Sequence, residues 1–311
     1  MLRSDGDEVK HLSLGEIPPA CDLAEFNRHR DLLFSIAYRM LGSVADAEDM
    51  VQETYIRWQQ SQDDSIRSPR AFLVTIISRL CINHLQLASV QREEYPGQWL
   101  PEPIMTGAGS DPFGDARNGE SISMAFLVML ERLTPTERAV FLLREVFEYE
   151  YAEIARILDQ NEVNCRQILK RARQNVSAMR PRFKASQHKQ RDLLRRFLEA
   201  IETGDMEGLT ALLSQDVILY ADGGGKAAAV PNAVSGAANV ARGVLGGFRK
   251  FVPANLTRHL THINGEPGIV SYLEGKPFSV VTLDIAGEQV RGIYVLTNPD
   301  KLTHLSEPSQ I

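Results

Sequence analysis

The hydrophobic period changes once along this chain, and that change rules out one uniform architecture. In "LAEFNRHRDLLFSIAYRML", Phe26, Leu33, Ile36, Ala37, Met40 and Leu41 recur at three- and four-residue steps, the mark of a helix with one buried face. The same period returns in segments up to about residue 185. Beyond residue 255, "LTRHLTHI", "GIVSYLEG", "FSVVTLDIAG" and "VRGIYVLTN" alternate every second residue and are parted by Gly, Asn and Pro, as in a meandering antiparallel sheet. A chain of 311 residues with both periods predicts helical domains followed by an α+β domain of roughly 115 residues.

The punctuation sets the boundaries. Residues 1–22 read as a flexible leader that ends after Pro18 and Pro19, and residues 23–92 as a first helical domain. Between Pro96 and Gly114, eight of nineteen positions are Gly or Pro, so residues 93–120 are a linker without a regular element, with "YPGQWLPEP" set to dock on a surface. Residues 121–185 form a second helical domain and residues 190–305 the α+β domain. "TPTERAVFLLREVF" opens with Thr134 as N-cap, Pro135 in the first position and Glu137 three residues after the cap, a capping box. In "EYAEIARILDQNEVNCRQILKRARQNV", Tyr151, Ile154, Ala155 and Leu158 share one face. "DQN" breaks the period, and Val163, Ile168, Leu169 and Ala172 resume it: helix, turn, helix.

Composition excludes several classes. With 43% hydrophobic and 24% charged residues the chain is that of a soluble globular protein, and its longest apolar runs, such as "AFLVTII", are too short to span a bilayer. The leader has no continuous apolar block, so a cytoplasmic location without membrane attachment is expected. Cys21, Cys81 and Cys165 are far apart and include no C-x-x-C pair, so neither a disulfide framework nor a metal site is indicated, and no cofactor is expected.

Two charge concentrations stand out. In "DAEDMVQETYIRW", Val44, Ala47, Val51, Tyr55 and Trp58 make a core stripe opposite Asp46, Asp49, Glu53 and Arg57. Residues 161–184 carry seven Arg or Lys against the single acid Glu162, in a chain of net charge −6, so a phosphate-binding patch belongs there. In a helix-turn-helix the second helix enters the major groove. Its outward positions here are Glu162, Asn164, Arg166, Gln167, Lys170, Arg171 and Arg173. Arg and Lys suit guanine edges and phosphates, Asn and Gln suit adenine, and Glu suits cytosine.

In content and order these segments resemble the extracytoplasmic function (ECF) class of sigma factors. "DLLFSIAYRMLGSVADAEDMVQETYIRWQQ" followed by "SPRAFLVTIISRLCINHL" is similar to sigma region 2, and "LTPTERAVFLLREVFEYEYAEIARILDQNEVNCRQILKRAR" to sigma region 4. The final domain resembles the SnoaL-like, NTF2-like cone of one sigma subgroup, whose motifs appear as "WLPEP" at 99–103, "DGGGK" at 222–226 and "NPDKL" at 298–302. The implied architecture is multidomain: a region 2 helical bundle and a region 4 helix-turn-helix, both all-α, then an α+β SnoaL/NTF2-like cone.

The resemblance also implies roles. Asp46, Glu48, Asp49, Gln52 and Glu53 would face the clamp helices of the largest RNA polymerase subunits, with Trp58 buried beneath them. Arg67, Arg70, Arg79, Asn83, His84 and Arg92 would read the −10 element of promoter DNA, where capture of a flipped base on single-stranded DNA needs cations and flat surfaces. The second helix of region 4 would read the −35 element. The cone would regulate the chain from within, in place of a separate anti-sigma factor, through Trp99, Leu100, Pro101, Asp222, Gly223, Gly224, Gly225, Lys226, Asn298, Pro299, Asp300, Lys301 and Leu302. Related cones hold a general base in a pocket, and Asp222, His259, His262 and Asp284 are the residues of that type here. The three glycines of "DGGGK" serve close backbone approach equally well, and a regulatory, non-enzymatic cone is the expectation. The competing reading is a ligand-responsive repressor fused to a SnoaL-like enzyme.

Overall fold

The computed structural model describes residues 23–61, 66, 68–93, 95–106, 122–176 and 186–305. The leader, Arg67, the side chain of Arg92, most of the distal linker, and the basic residues Arg180, Arg182 and Lys184 lie outside the described residues.

Three helices build the first body: α1 (Leu23–Leu41), α2 (Val44–Gln60) and α3 (Pro69–Glu93). Gly42, at φ +70°, ends α1, and Ser43 caps α2 by accepting from the Asp46 amide at 3.2 Å. Trp58 is fully buried against Phe72, and Tyr55 meets the edge of Phe26 at 4.9 Å. The second body holds α4 (Met124–Leu130), α5 (Pro135–Glu145), α6 (Tyr151–Leu158) and α7 (Glu162–Val176). The capping box at Thr134 and Glu137 is present. Asp159, at φ 53°, closes α6, and the Asn161 carboxamide accepts from the Asn164 amide at 2.8 Å to start α7.

One expectation fails on α7. Val163 is 62% exposed, and Cys165 takes its place on the buried stripe with Ile168, Leu169, Ala172 and Val176. Val163 stands two residues before Cys165 and five before Ile168, spacings that put it on the opposite side of a helix of 3.6 residues per turn from the buried stripe.

The two helical bodies share one continuous apolar core, which runs from Phe26 and Trp58 through Leu130 and Phe141 to Val176. Polar contacts cross the same junction. The buried Arg138 of α5 donates to the Met40 carbonyl of α1 at 2.5 Å and pairs with Glu131 at 2.7 Å.

The third body begins with α8 (Gln187–Thr203) and α9 (Met206–Leu212). Then come β2 (Leu213–Asp222), β3 (Val234–Ser235), α10 (Ala237–Phe251), β4 (Thr257–Ile263), β5 (Glu266–Leu273), β6 (Lys276–Ala286) and β7 (Gln289–Leu296). A two-residue strand from the linker, β1 (Met105–Thr106), joins them, giving the order β1-β4-β5-β6-β7-β2-β3, antiparallel except for β2 beside β7. The linker therefore does contain a regular element, contrary to its Gly and Pro density. Met105 and Thr106 are free of both residue types, and β4 offers them an open edge, pairing Met105 with Ile263 and Thr106 with His262.

Alternation divides the sheet. Leu219, Ile269, Leu283 and Ile293 face α8, α9 and α10 to form the cone's own core. Val270, Tyr272, Val280, Tyr294 and Leu296 face the other way and pack on Leu100 of the linker, Met124 of α4, Leu302 and Leu305. The outer face of this α+β cone is thus covered by the chain's own linker and by a helix of the second body.

Candidate functional site

On α2, Asp49 and Gln52 are exposed, while Glu48 pairs with Arg30 at 2.8 Å, Glu53 with Arg57 at 2.8 Å, and Asp46 lies 3.7 Å from the imidazole of His84. All five expected residues share the side opposite Ala47, Val51 and Trp58, so the helix presents an acidic ridge over an aromatic floor.

Among the −10 candidates, Arg70, Arg79, Asn83 and His84 all lie on α3, but three are engaged within the chain. The Arg70 guanidinium lies over the Tyr149 ring at 5.8 Å. Arg79 donates to the carbonyls of Ile157 at 2.8 Å and Arg156 at 3.3 Å, the last turn of α6, where the helix dipole favours a cation. His84 sits by Asp46, and Asn83 is exposed.

On α7, Arg166, Gln167, Lys170, Arg171 and Arg173 are exposed, with Glu162 and Asn164 half-buried at its start. Arg166 pairs with Glu162 at 2.7 Å and stacks on Tyr151 at 4.8 Å; Arg173 reaches Glu145 of α5 at 2.6 Å. A shallow groove runs between Tyr151, Arg166, Lys170 and Arg173. The exposed Val163 adds an apolar group to the leading end of this face.

The motifs of the linker and cone meet around one buried carboxylate. Asp222 is wholly buried. Its Oδ1 accepts from the Tyr95 hydroxyl at 2.7 Å and the Gly224 amide at 2.9 Å; its Oδ2 accepts from the Leu100 amide at 2.9 Å and Lys301 Nζ at 2.8 Å. Lys301 also donates to the Leu100 carbonyl at 2.5 Å, and its ammonium lies 4.1 Å from the centre of Trp99. Asn298 donates to the Tyr95 oxygen at 2.8 Å. Burial, reinforced by Asp222, pushes the Tyr95 phenol well above its ordinary value, so it stays a donor. Gly225 has φ +69°, and a Cβ there would come within 2.8 Å of Pro96. Leu302 is buried beneath Leu100. Lys226 does not join the clasp, since it pairs with Asp300 at 2.5 Å within the cone.

From this clasp the linker runs as a strap to α2. The Glu102 carboxylate accepts from the Val44 amide at 2.7 Å and from the Ser43 hydroxyl at 3.1 Å, placing an anion at the positive end of the acidic-ridge helix. Tyr38 of α1 donates to the Glu102 carbonyl at 2.5 Å, and Asn264 at the β4–β5 turn donates to Tyr38 at 2.7 Å and accepts from the Ile104 amide at 2.9 Å. His304 bonds the Pro103 carbonyl at 2.6 Å. Trp99 packs so closely on Gly42 that a Cβ there would lie 2.6 Å from the ring. Tyr95, Glu102, Asn264, Tyr38 and His304 were missed by sequence reasoning. Only Tyr95 and Glu102 had a usable signal, lying beside and inside "WLPEP".

Asp222 is committed to the clasp, and neither His259, His262 nor Asp284 lines the cone's cavity. The cavity walls therefore bring none of the four candidate acid–base residues together. Burial also raises the Cys81 thiol well above its ordinary value, holding it protonated and unreactive. Among the described residues, no helix is long and apolar enough to cross a membrane, and no cluster of His, Cys, Asp and Glu could hold a metal.

The Sigma-70 region 2 family model matches residues 26–89, and the Sigma-70, region 4 model matches residues 123–176. The chain is 36% identical over 293 residues to the ECF RNA polymerase sigma factor SigJ of Mycobacterium tuberculosis strain H37Rv, covering 91% of this chain and 93% of that protein. It is 30% identical over 298 residues to the probable ECF RNA polymerase sigma factor SigI of M. tuberculosis strain CDC 1551, covering 91% and 95%. The crystal structure of M. tuberculosis SigJ matches with a TM-score of 0.72 at 33% identity, covering 91% of this chain and 98% of that one. Two sigma-70 regions in order, and relatives matched along nearly their whole length through the cone, make this chain a member of the ECF RNA polymerase sigma factors, which are DNA-binding transcription initiation factors and not enzymes.

Proposed function

We propose that the chain brings core RNA polymerase to promoters through the α2 ridge, α3 and α7, and that the cone holds these surfaces closed from within the same chain. The acidic ridge complements basic residues on the polymerase clamp helices, which sets orientation more than raw affinity. The α7 face contacts the −35 element, with Val163 placed to meet a thymine methyl beside the polar readers. Arg70, Arg79, Asn83 and His84 serve the −10 element.

The observation that carries the cis-control reading is the strap. It begins at the Asp222–Lys301 clasp and ends on the first turn of the polymerase-docking helix. Elements centred about 25 base pairs apart lie roughly 85 Å apart along the duplex. In the closed chain, Arg79 of α3 bonds α6 directly and the two sigma regions share one core. Simultaneous grip on both elements therefore requires the regions to separate, and release of the strap is the controlled step. On this reading the cone takes the place of a separate anti-sigma protein, and the chain acts with polymerase in the cytoplasm. The repressor reading has no support from the relatives, which are named as sigma factors.

Run-off transcription with purified core polymerase tests this. The chain is expected to confer initiation on a promoter that core alone ignores, more strongly when Asp222→Asn weakens the clasp. Absence of initiation with both proteins contradicts the sigma reading, and equal initiation contradicts control by the strap.

A further inference from the structure

The cone encloses a cavity of about 730 Å³, within the range of small-molecule sites. Phe197, Leu219, Phe248, Ile269, Val281 and Ile293 form its walls, and most of its surface is carbon. A largely apolar space of this kind is filled by an apolar guest more readily than by ordered water. Helix α10 keeps the space open. Gly243 and Gly247, one turn apart, both line it. A Cβ on Gly243 would meet only Leu219 at 3.8 Å, and a Cβ on Gly247 would meet nothing within 4 Å. Each glycine costs a helix interior about 1 kcal/mol relative to alanine.

Among the described residues, Arg258 is the one charged side chain in the lining. It is neutralised by Glu202 at 3.1 Å and lies over Phe248 at 5.2 Å. A further charge on a guest would go unmatched, while a single acceptor could share the guanidinium.

The wall adjoins the clasp. Ala227, Ala228, Ala229 and Val230 line the cavity directly after "DGGGK", and Thr297 and Pro299 line it on either side of Asn298. The Thr297 hydroxyl lies 3.3 Å from the carbonyls of both Asp222 and Ala228, so one side chain bridges wall and clasp.

We propose that this cavity binds an uncharged, apolar small molecule with a single hydrogen-bond acceptor, and that occupancy displaces the Ala227–Val230 wall and loosens the strap. The binding claim stands without the polymerase. The read-out claim rests on the cis-control reading.

The test uses the full chain and the neutral fluorophore N-phenyl-1-naphthylamine, whose emission rises in apolar surroundings. A saturable rise that is displaced by 1-decanol is expected. Gly247→Leu and Gly243→Leu, which fill the cavity, should each weaken binding at least about tenfold, whereas Gly246→Leu, one residue away and exposed, should leave it within about twofold. Circular dichroism identifies the variants that fold, and either cavity variant suffices. No saturable rise with the folded wild-type chain, or equal binding by all folded variants, overturns the site. For the read-out, 1-decanol should lower hydrogen-exchange protection at the Leu100 and Ile104 amides; unchanged protection at saturating alcohol overturns it. Failure of this titration leaves the promoter function untouched, just as failed transcription would leave the cavity claim standing.

Discussion

Replacing Asp222 by Asn keeps the shape of the clasp and removes its charge. The wild-type carboxylate receives four donors: Tyr95 hydroxyl, Gly224 amide, Leu100 amide and Lys301 ammonium. A carboxamide has one oxygen, so its NH₂ must face two of them. In one orientation these are Leu100 and Lys301, in the other Tyr95 and Gly224. Each buried donor left without an acceptor costs about 1–3 kcal/mol, and removing one partner of a buried ion pair costs about 3–5 kcal/mol in all. The loss falls on strap docking, because Asp222 and Lys301 both belong to the cone while Tyr95 and Leu100 belong to the linker. With the strap away, the substituted carboxamide would be hydrated and the cone would keep its own core. A penalty of about 3 kcal/mol or more lowers the docking equilibrium by over a hundredfold. Hydrogen exchange at the Leu100 amide reads this directly: protection should fall by about that factor while amides in β5 and β6 stay protected. A change below about twofold in a folded variant would refute the clasp as the strap's anchor.

Four other outcomes follow. Gly225→Ala puts a methyl 2.8 Å from Pro96 at φ +69° and should weaken strap docking by about 1–3 kcal/mol, seen as lost protection at Leu100; unchanged protection contradicts the close-approach role. Asp49→Lys with Glu53→Lys should abolish binding to core polymerase in a pull-down while sparing binding to isolated promoter duplex. Arg166→Ala and Arg171→Ala should each cost roughly 1–3 kcal/mol of −35 binding wherever the side chain reads a base, measured by fluorescence anisotropy against a scrambled duplex. Arg79→Ala removes two bonds to the end of α6 and should loosen region 4 from region 2, detected as faster exchange at the α6 amides.

What was legible in the sequence follows what is local. The capping box at Thr134 depends on four consecutive residues, and the buried Trp58 and acidic ridge follow from helical period alone. The resemblance pointed to the "DGGGK" contact, and its glycines permit the close backbone approach found at Gly225, although Lys226 turned instead to Asp300. Val163 was misassigned on its apolar character: five residues before Ile168 and two before Cys165, it falls on the opposite side of a helix of 3.6 residues per turn. Distant partners left no mark. The Asn264 turn signals a hairpin, but nothing local says that its carboxamide bonds Tyr38, 226 positions earlier. The shared core of the two sigma regions was hidden for the same reason: an apolar stripe shows that a face is buried, not by what.

The central claim is that the sigma regions are locked together in the free chain and separate on the promoter. Donor and acceptor fluorophores at the exposed positions Gln60 of α2 and Asn175 of α7 measure it, in the free chain and in complex with core polymerase and promoter DNA. A high transfer efficiency in the free chain that collapses in the complex, as the labels move tens of ångströms apart toward elements roughly 85 Å distant, is the predicted result. Equal efficiency in both states, with transcription intact, would contradict it.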